Sequence, residues 1–223
     1  MTAVKTVVIV GSDTGVGKTF VGCGVARALV DIGRRVVAIK PVETGCADEP
    51  APTEDGVQLA RASGQRSPRM ALRRFRHAIT PALAADLEGG AVELAPLRAD
   101  LARESAAADI LLLEGAGGLL SPLAWTWSLI DLALALQATA LVVAGDRLGC
   151  LNHALLTVQA LGQAGIPIAG VVLSAPPVPD ASTGGNFTVL RRLLPGRPIA
   201  ALPRLPLPDG DARFPEIARW LCP

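Results

Sequence analysis

Six short runs of aliphatic and β-branched residues recur along this chain, at 6–10, 35–39, 110–113, 140–144, 169–173 and 199–202. Several are apolar at every position, so neither face is meant for water, which is how strands inside a parallel sheet read. Between them lie segments of helical character at 18–32, 54–63, 97–107, 127–136 and 151–164, the first with Gly33 as its stop. This alternation predicts an α/β fold: one domain over 1–223, with a mostly parallel central sheet and helices on both faces. Ligands of such sheets gather at the carboxyl ends of the strands, which here means 11–19, 40–45, 114–118 and 145–152.

Several function classes fall away on composition. The 223 residues carry a net charge of +1, no tyrosine and 3% aromatics, so neither a basic nucleic-acid face nor a stacking platform is expected. No apolar stretch is long enough to span a membrane, and the first residues lack a leader layout; a soluble cytoplasmic protein is the expectation. The four cysteines are scattered without metal-ligand spacing and read as reduced apolar fillers. With only His77 and His153, a histidine metal site or a Ser-His-Asp triad is not expected.

Chemistry concentrates in three motifs. In KTVVIVGSDTGVGKTF, an apolar strand runs into a glycine loop and then a helix, an order suited to cradling phosphates on backbone N–H groups. The usual phosphate loop has four residues between its first glycine and the Gly-Lys-Thr triplet; here five separate Gly11 from Gly17. Lys18 would neutralise the outer phosphates and Thr19 would coordinate magnesium. KPVETG puts Lys40 at the end of the second strand, placed to stabilise transferring negative charge. In LLLEGAGGLLSPL, Glu114 closes an apolar strand and faces the metal, and the glycines after it allow close backbone approach. Asp55, in PTEDGVQLA, reads equally as a further carboxylate of the site or as a helix cap.

Taken in order, GSDTGVGKT, KPVETG, LEGAGGLLSPL and GDRLGCLNHALLT closely resemble the dethiobiotin synthetase family, whose normal loop is the lengthened one. The resemblance implies a magnesium-dependent ligase of biotin biosynthesis with a P-loop NTPase-like fold. Its substrates would be 7,8-diaminononanoate, carbon dioxide and ATP, with other nucleoside triphosphates open. It assigns catalysis to Lys40 and Lys18, and nucleotide binding to Gly15, Val16, Gly17, Lys18, Thr19, Phe20, Asp55, Glu114, Gly115, Ala116 and Gly117. Thr19, Asp55 and Glu114 would hold the metal. Thr14, Lys40, Thr44, Leu148, Gly149 and Asn152 would hold the substrate, the last three from a neighbouring subunit, so a homodimer is implied. Around the base, Ser174 and Ala175 stand where many relatives carry Asn-Asp, which puts adenine selectivity in question; Leu202, Pro203 and Arg204 form a second base-side segment. The extra loop residue would bring Asp13 and Thr14 to where the substrate meets the γ-phosphate.

Two rivals resemble this chain, the second of them sharing the lengthened loop. A partition-type switch ATPase, acting through partner binding, would carry a signature lysine where Asp13 stands, and a cobyrinate-type amide synthetase would need an appended glutaminase domain. Two regions are less regular: 46–96, whose basic cluster at 69–77 is expected to be a solvated or interface surface, and 175–185, expected to be a mobile loop at the ligand edge.

Overall fold

All six apolar runs become strands of one sheet. The structure, a computed structural model, describes residues 4–203 and 213–222. From the N-terminus, β1 (Lys5–Gly11) leads into α1 (Lys18–Asp31), then β2 (Val36–Ile39), β3 (Val42–Thr44), α2 (Asp55–Ser63), β4 (Arg73–Phe75), α3 (Pro81–Leu87) and α4 (Leu94–Glu104). The middle of the chain gives β5 (Ile110–Gly118), β6 (Pro122–Ala124), β7 (Trp127–Ser128), α5 (Leu129–Ala135), β8 (Thr139–Gly145) and α6 (Cys150–Gln163). It closes with β9 (Ile168–Ser174), α7 (Asn186–Leu193), β10 (Ile199–Leu202) and α8 (Arg213–Leu221).

The main sheet runs β10-β9-β8-β1-β5-β2 with every neighbouring pair parallel. Alternate residues of each central strand feed opposite layers. Val8, Val10, Leu111, Leu113, Val142 and Ala144 face α4, α5 and α6 through Leu97, Leu101, Leu129, Leu132, Ala154 and Leu161. Val7, Ile9, Leu112, Leu141 and Val143 face α1, α2 and α8 through Val21, Leu29, Leu59 and Ile217. Burying such a side chain on either face stabilises by about 1.5–3 kcal/mol, so a strand with two buried faces cannot afford a polar alternate position. With β1 at the centre, its glycine loop sits over the middle of the carboxyl edge, where the topology leaves a crevice between the elements that follow β1 and β5.

The irregular region 46–96 holds α2, α3 and β4, which pairs in parallel with β3 just ahead of the region, Glu43 registering with Arg74. Part of the basic cluster departs from the expected solvated or interface surface: Arg73–Phe75 form β4, and Arg74 is drawn inward by the Glu54 carboxylate at 2.7 Å, with only 17% of its side chain exposed, while Arg69, Arg76 and His77 stay exposed. Trp127 and Ser128 also depart from the expected helix, forming β7 against β6 before α5 begins with a Ser128–Asp131 capping box. The 175–185 segment carries its own anchors. Asp146, buried after β8, receives Asn186 Nδ2 at 2.7 Å and the Gly184 N–H at 2.8 Å, and Asp180 receives the Leu148 N–H at 2.8 Å.

Candidate active site

Gly11 ends β1, and a Cβ there would lie 2.8 Å from Lys18 Nζ and 2.7 Å from the Asp13 carbonyl oxygen. Glycine therefore lets the Lys18 side chain fold back over the loop, where its ammonium donates to that carbonyl at 3.0 Å. Gly17 caps α1 with φ 93°, and a Cβ there would sit 2.5 Å from Ser174 Oγ. The loop is thus wedged against the end of β9 with its N–H groups free to turn inward.

Lys40 leaves the end of β2 and donates to Glu114 Oε1 at 2.6 Å and Asp55 Oδ2 at 2.7 Å. Thr19 Oγ1 lies 2.8 Å from Asp55 Oδ1 and 2.9 Å from Glu114 Oε1, so its single proton serves one carboxylate at a time. Lys40 is 4% exposed and Glu114 1%, whereas the Asp55 side chain is 34% exposed. Burial opposes the charge on Lys40, yet the Glu114 and Asp55 carboxylates outweigh it and raise its pKa. Burial likewise opposes the Asp55 charge, and the ammonium of Lys40 with the bonds from Lys40 and Thr19 holds its carboxyl below the usual range. Burial pushes Glu114 up, with Lys40 pulling against it. Lys18, desolvated and repelled by Lys40, comes down to about 8. Three hard oxygens from Thr19, Asp55 and Glu114 therefore converge beside two lysines, a donor set that suits magnesium rather than a soft metal.

These groups line a cavity of about 390 Å³ with Thr14, Gly15, Gly17, Glu43, Thr44, Ala116 and Gly117. A second cavity, about 550 Å³, lies across the glycine loop and shares Gly15 and Gly17 with the first. Val16, Phe20, Gly145, Arg147, Ser174, Ala175, Pro176 and Pro177 complete its wall. Two neighbouring chambers, one charged and one mostly apolar, on either side of the glycine loop, are an arrangement suited to the two ends of a nucleoside triphosphate. A larger groove of about 610 Å³ between α3 and the β6–β7 hairpin holds Trp125, Trp127, Asp86 and Glu93, but none of the lysines or loop glycines.

A family model described as an AAA domain matches residues 5–211. The ATP-dependent dethiobiotin synthetase BioD of Anaeromyxobacter dehalogenans is 42% identical over 203 residues, spanning 87% of this chain and 88% of that protein. The chain belongs to the dethiobiotin synthetase family. ATP-dependent dethiobiotin synthetase BioD 1 of Salmonella typhi is 34% identical, spanning 92% of this chain and 91% of its own. Among solved structures, the septum site-determining protein MinD of Pyrococcus horikoshii, complexed with Mg-ADP, superposes with a TM-score of 0.59 at 19% identity. It covers 98% of this chain and 94% of its own. Cyanothece McdA(D38A) with ATP gives 0.54 at 15% identity, covering 99% and 89%. These two likenesses establish the nucleotide-loop fold alone.

Within this synthetase-family chain, the structure brings together Thr14, Lys18, Thr19, Lys40, Thr44, Asp55 and Glu114 from four separate sequence motifs. Ser174 and Ala175 reach the second cavity, but Leu202 and Pro203 do not line it. Leu202 is buried behind the wall, where its carbonyl receives the Ala175 N–H at 2.9 Å. Gly115 packs against Leu129 rather than lining either cavity, and Arg204 lies outside the described residues. Leu148, Gly149 and Asn152 are exposed and stand apart from both cavities, at the start of α6. A trough of about 420 Å³ runs from Ser12 and Gly118 past Ser121 to His153 and Leu156 of that helix.

Sequence reading left Glu43 and Arg147 without roles. Arg147 lines the second cavity and reaches the Asp13 carboxylate at 3.2 Å, a contact 134 positions apart in sequence. The Asp13 side chain thus braces the loop, while Thr14 is the residue of that pair facing the charged cavity.

Proposed function

We propose that this chain is an ATP-dependent dethiobiotin synthetase that carboxylates 7,8-diaminononanoate and closes its ureido ring. The observation supporting it above all is the convergence of Lys18, Lys40, Thr19, Asp55 and Glu114 around one cavity beside the glycine loop. One substrate amine takes up carbon dioxide and loses a proton, forming a carbamate. A carbamate oxygen then attacks the γ-phosphorus, the bond from that phosphorus to the β-phosphate oxygen breaks, and ADP leaves. The second amine attacks the carbonyl carbon of the resulting carbamic–phosphoric anhydride, expels phosphate and closes the ring.

None of these steps needs a protein nucleophile. The chain positions the groups and stabilises charge, as phosphoryl transfer requires. Lys18 steadies the β- and γ-phosphates, and Lys40 swings between its two carboxylates and the oxygens of the phosphoryl group in transfer. Thr19, Asp55 and Glu114 would hold magnesium, which neutralises phosphate charge when bound. Thr14 and Thr44 offer hydroxyls to the substrate on the side of the cavity facing the carbamate.

Among the described residues the base chamber offers Ser174, Ala175, Pro176 and Pro177, with no side-chain amide to read a purine edge. Ser174 Oγ is turned toward Gly17. We therefore expect ATP to be used with weak base discrimination. The trough leading to α6 suits a hydrocarbon chain, and Leu120, Leu148 and Leu156 leave an exposed apolar surface beside it, Leu148 being 81% exposed. A homodimer in which the partner's α6 start receives the substrate carboxylate would cover that surface. The reading also takes the enzyme as cytoplasmic; among the described residues no helix is long and apolar enough to cross a membrane, and the cysteines are free thiols.

The partition-type alternative draws only on a fold likeness at 20% identity or less. Incubation with diaminononanoate, bicarbonate, magnesium and each nucleoside triphosphate, with mass detection, tests the proposal. Dethiobiotin is expected with every nucleotide, rates spreading by less than about 100-fold, since a site without paired hydrogen bonds discriminates only modestly. No dethiobiotin with any of them would refute the function, and full activity in a strictly monomeric enzyme would remove the dimer.

A further inference from the structure

Asp55 opens α2, and its side chain is one-third exposed, so burial does not fix where its carboxylate points. The residue before it, Glu54, makes no side-chain cap on the helix. The first N–H groups of a helix have no partner within it and must find one elsewhere. Here Glu43, from β3, supplies both: its Oε1 accepts the Asp55 N–H at 2.6 Å and its Oε2 accepts the Gly56 N–H at 3.0 Å. Glu43 is 6% exposed, and with both oxygens engaged by backbone its carboxylate is committed to the helix.

Glu43 also belongs to the segment that presents Lys40. That segment is fixed to β4 by the Leu72 N–H on the Lys40 carbonyl and the Arg73 N–H on the Pro41 carbonyl. From the other side, Glu54 collects Arg74 and the N–H groups of Ala47 and Ala51, shaping the turn into α2. Close packing leaves the helix start little room to slide, since a Cβ at Gly56 would lie 2.4 Å from the Ala71 nitrogen. Lys40 and Asp55, the partners of the 2.7 Å pair, are thus referred to one frame, and Glu43 is the contact that joins them.

We infer that Glu43 is a positioning residue: by receiving the Asp55 and Gly56 N–H groups it holds the Asp55 carboxylate against Thr19 and Lys40, where magnesium and phosphate are handled. Its effect on turnover rests on the dethiobiotin synthetase reading; its effect on the helix start does not. The test uses the full-length enzyme with Glu43→Ala, Glu43→Gln and, as a control, Gly64→Ala. Gly64 ends the same helix with φ 67° and open space around it, away from the site.

For Glu43→Ala, kcat should fall about 30-fold, because misplacement of this kind on an aligned site costs one to two orders of magnitude. The magnesium concentration for half-maximal rate should rise about 10-fold, with KM for ATP within about twofold, since the glycine loop is untouched. Amide exchange at Asp55 and Gly56 should quicken at least about 10-fold while Arg61 to Ser63 keep their protection. Glu43→Gln, retaining one acceptor, should recover part of each effect, and Gly64→Ala should leave kcat and the magnesium requirement as in wild type. The inference is overturned if Glu43→Ala keeps wild-type kcat and magnesium requirement. An equal loss of kcat in Gly64→Ala would overturn it too, reducing Glu43 to general helix support. If wild type itself makes no dethiobiotin, the functional reading fails, and the exchange rates at Asp55 and Gly56 still decide the clamp.

Discussion

Lys40→Ala should lower kcat for dethiobiotin formation by about 10³-fold or more while ATP affinity changes by less than about threefold, the pattern of a group whose strongest contacts form in the transition state. The ammonium sits at the end of β2 with two carboxylates at 2.6 and 2.7 Å, poised over the same cavity as Lys18. On the function proposed above, ground-state binding of the triphosphate should rely instead on the loop N–H groups and Lys18, which the substitution leaves alone.

The same change should destabilise the fold, for a different reason. Removing one partner of a buried ion pair leaves an uncompensated charge, at a cost of about 3–5 kcal/mol. Glu114 is that charge, and its Oε2 is buried with no hydrogen-bond partner among the described residues. Water entering the shortened site, and the partial exposure of Asp55, should keep the loss toward the lower end. Pairing Lys40→Met with Glu114→Gln should return much of the stability without returning turnover, which separates the two roles. Urea unfolding and steady-state kinetics on both variants read the two effects. A Lys40→Ala enzyme with wild-type kcat would remove Lys40 from the chemistry.

Gly17→Ala should weaken ATP binding by about 100-fold or more, because a side chain at this left-handed position costs about 1–3 kcal/mol in backbone strain alone. The new Cβ would also come 2.5 Å from Ser174 Oγ and 3.1 Å from its Cβ. The loop can relieve that contact only by moving away from β9, and the N–H groups that face the phosphates move with it. Adding Ser174→Gly should return part of the affinity by removing the clash but not the strain. Gly33→Ala is the matching control: φ is 82° there, and a Cβ would meet nothing within 4 Å. It should cost stability and leave nucleotide affinity unchanged. Calorimetric titration with ATP settles the comparison, and equal affinity in Gly17→Ala and wild type would contradict the loop geometry described here.

The central strands were legible because each has two buried faces, so Val7 to Val10 and Leu111 to Leu113 are apolar at consecutive positions whatever their neighbours. The short strands were not. Val42–Thr44 and Arg73–Phe75 are three residues each, carry charges and pair only with one another, so no local period announces them. Their polar members make sense only through partners distant in sequence: Arg74 lies 20 positions from Glu54, and Glu43 lies 12 from Asp55. The charged half of the site was readable, since Lys18 opens α1 and Lys40 follows the end of β2; Glu114, expected to close its strand, instead sits mid-strand, because β5 runs on to Gly118. The open choice for Asp55, metal carboxylate or cap, resolved by position: it opens α2, but its carboxylate turns to Lys40 and Thr19 while Glu43 does the capping. Ser174 and Ala175 line the second cavity; Arg147, which lines it too, was missed because its place depends on the turn after β8 and on a loop partner at Asp13.

The central claim is that the carbamate oxygen attacks ATP and the second amine then displaces phosphate. Carbon dioxide labelled on both oxygens with a heavy isotope, supplied with diaminononanoate, magnesium and ATP, tests it directly in a single-turnover reaction quenched before bicarbonate exchange. One labelled oxygen is expected in the inorganic phosphate and the other in the ureido carbonyl of dethiobiotin. Phosphate released without label, alongside ADP, would contradict it.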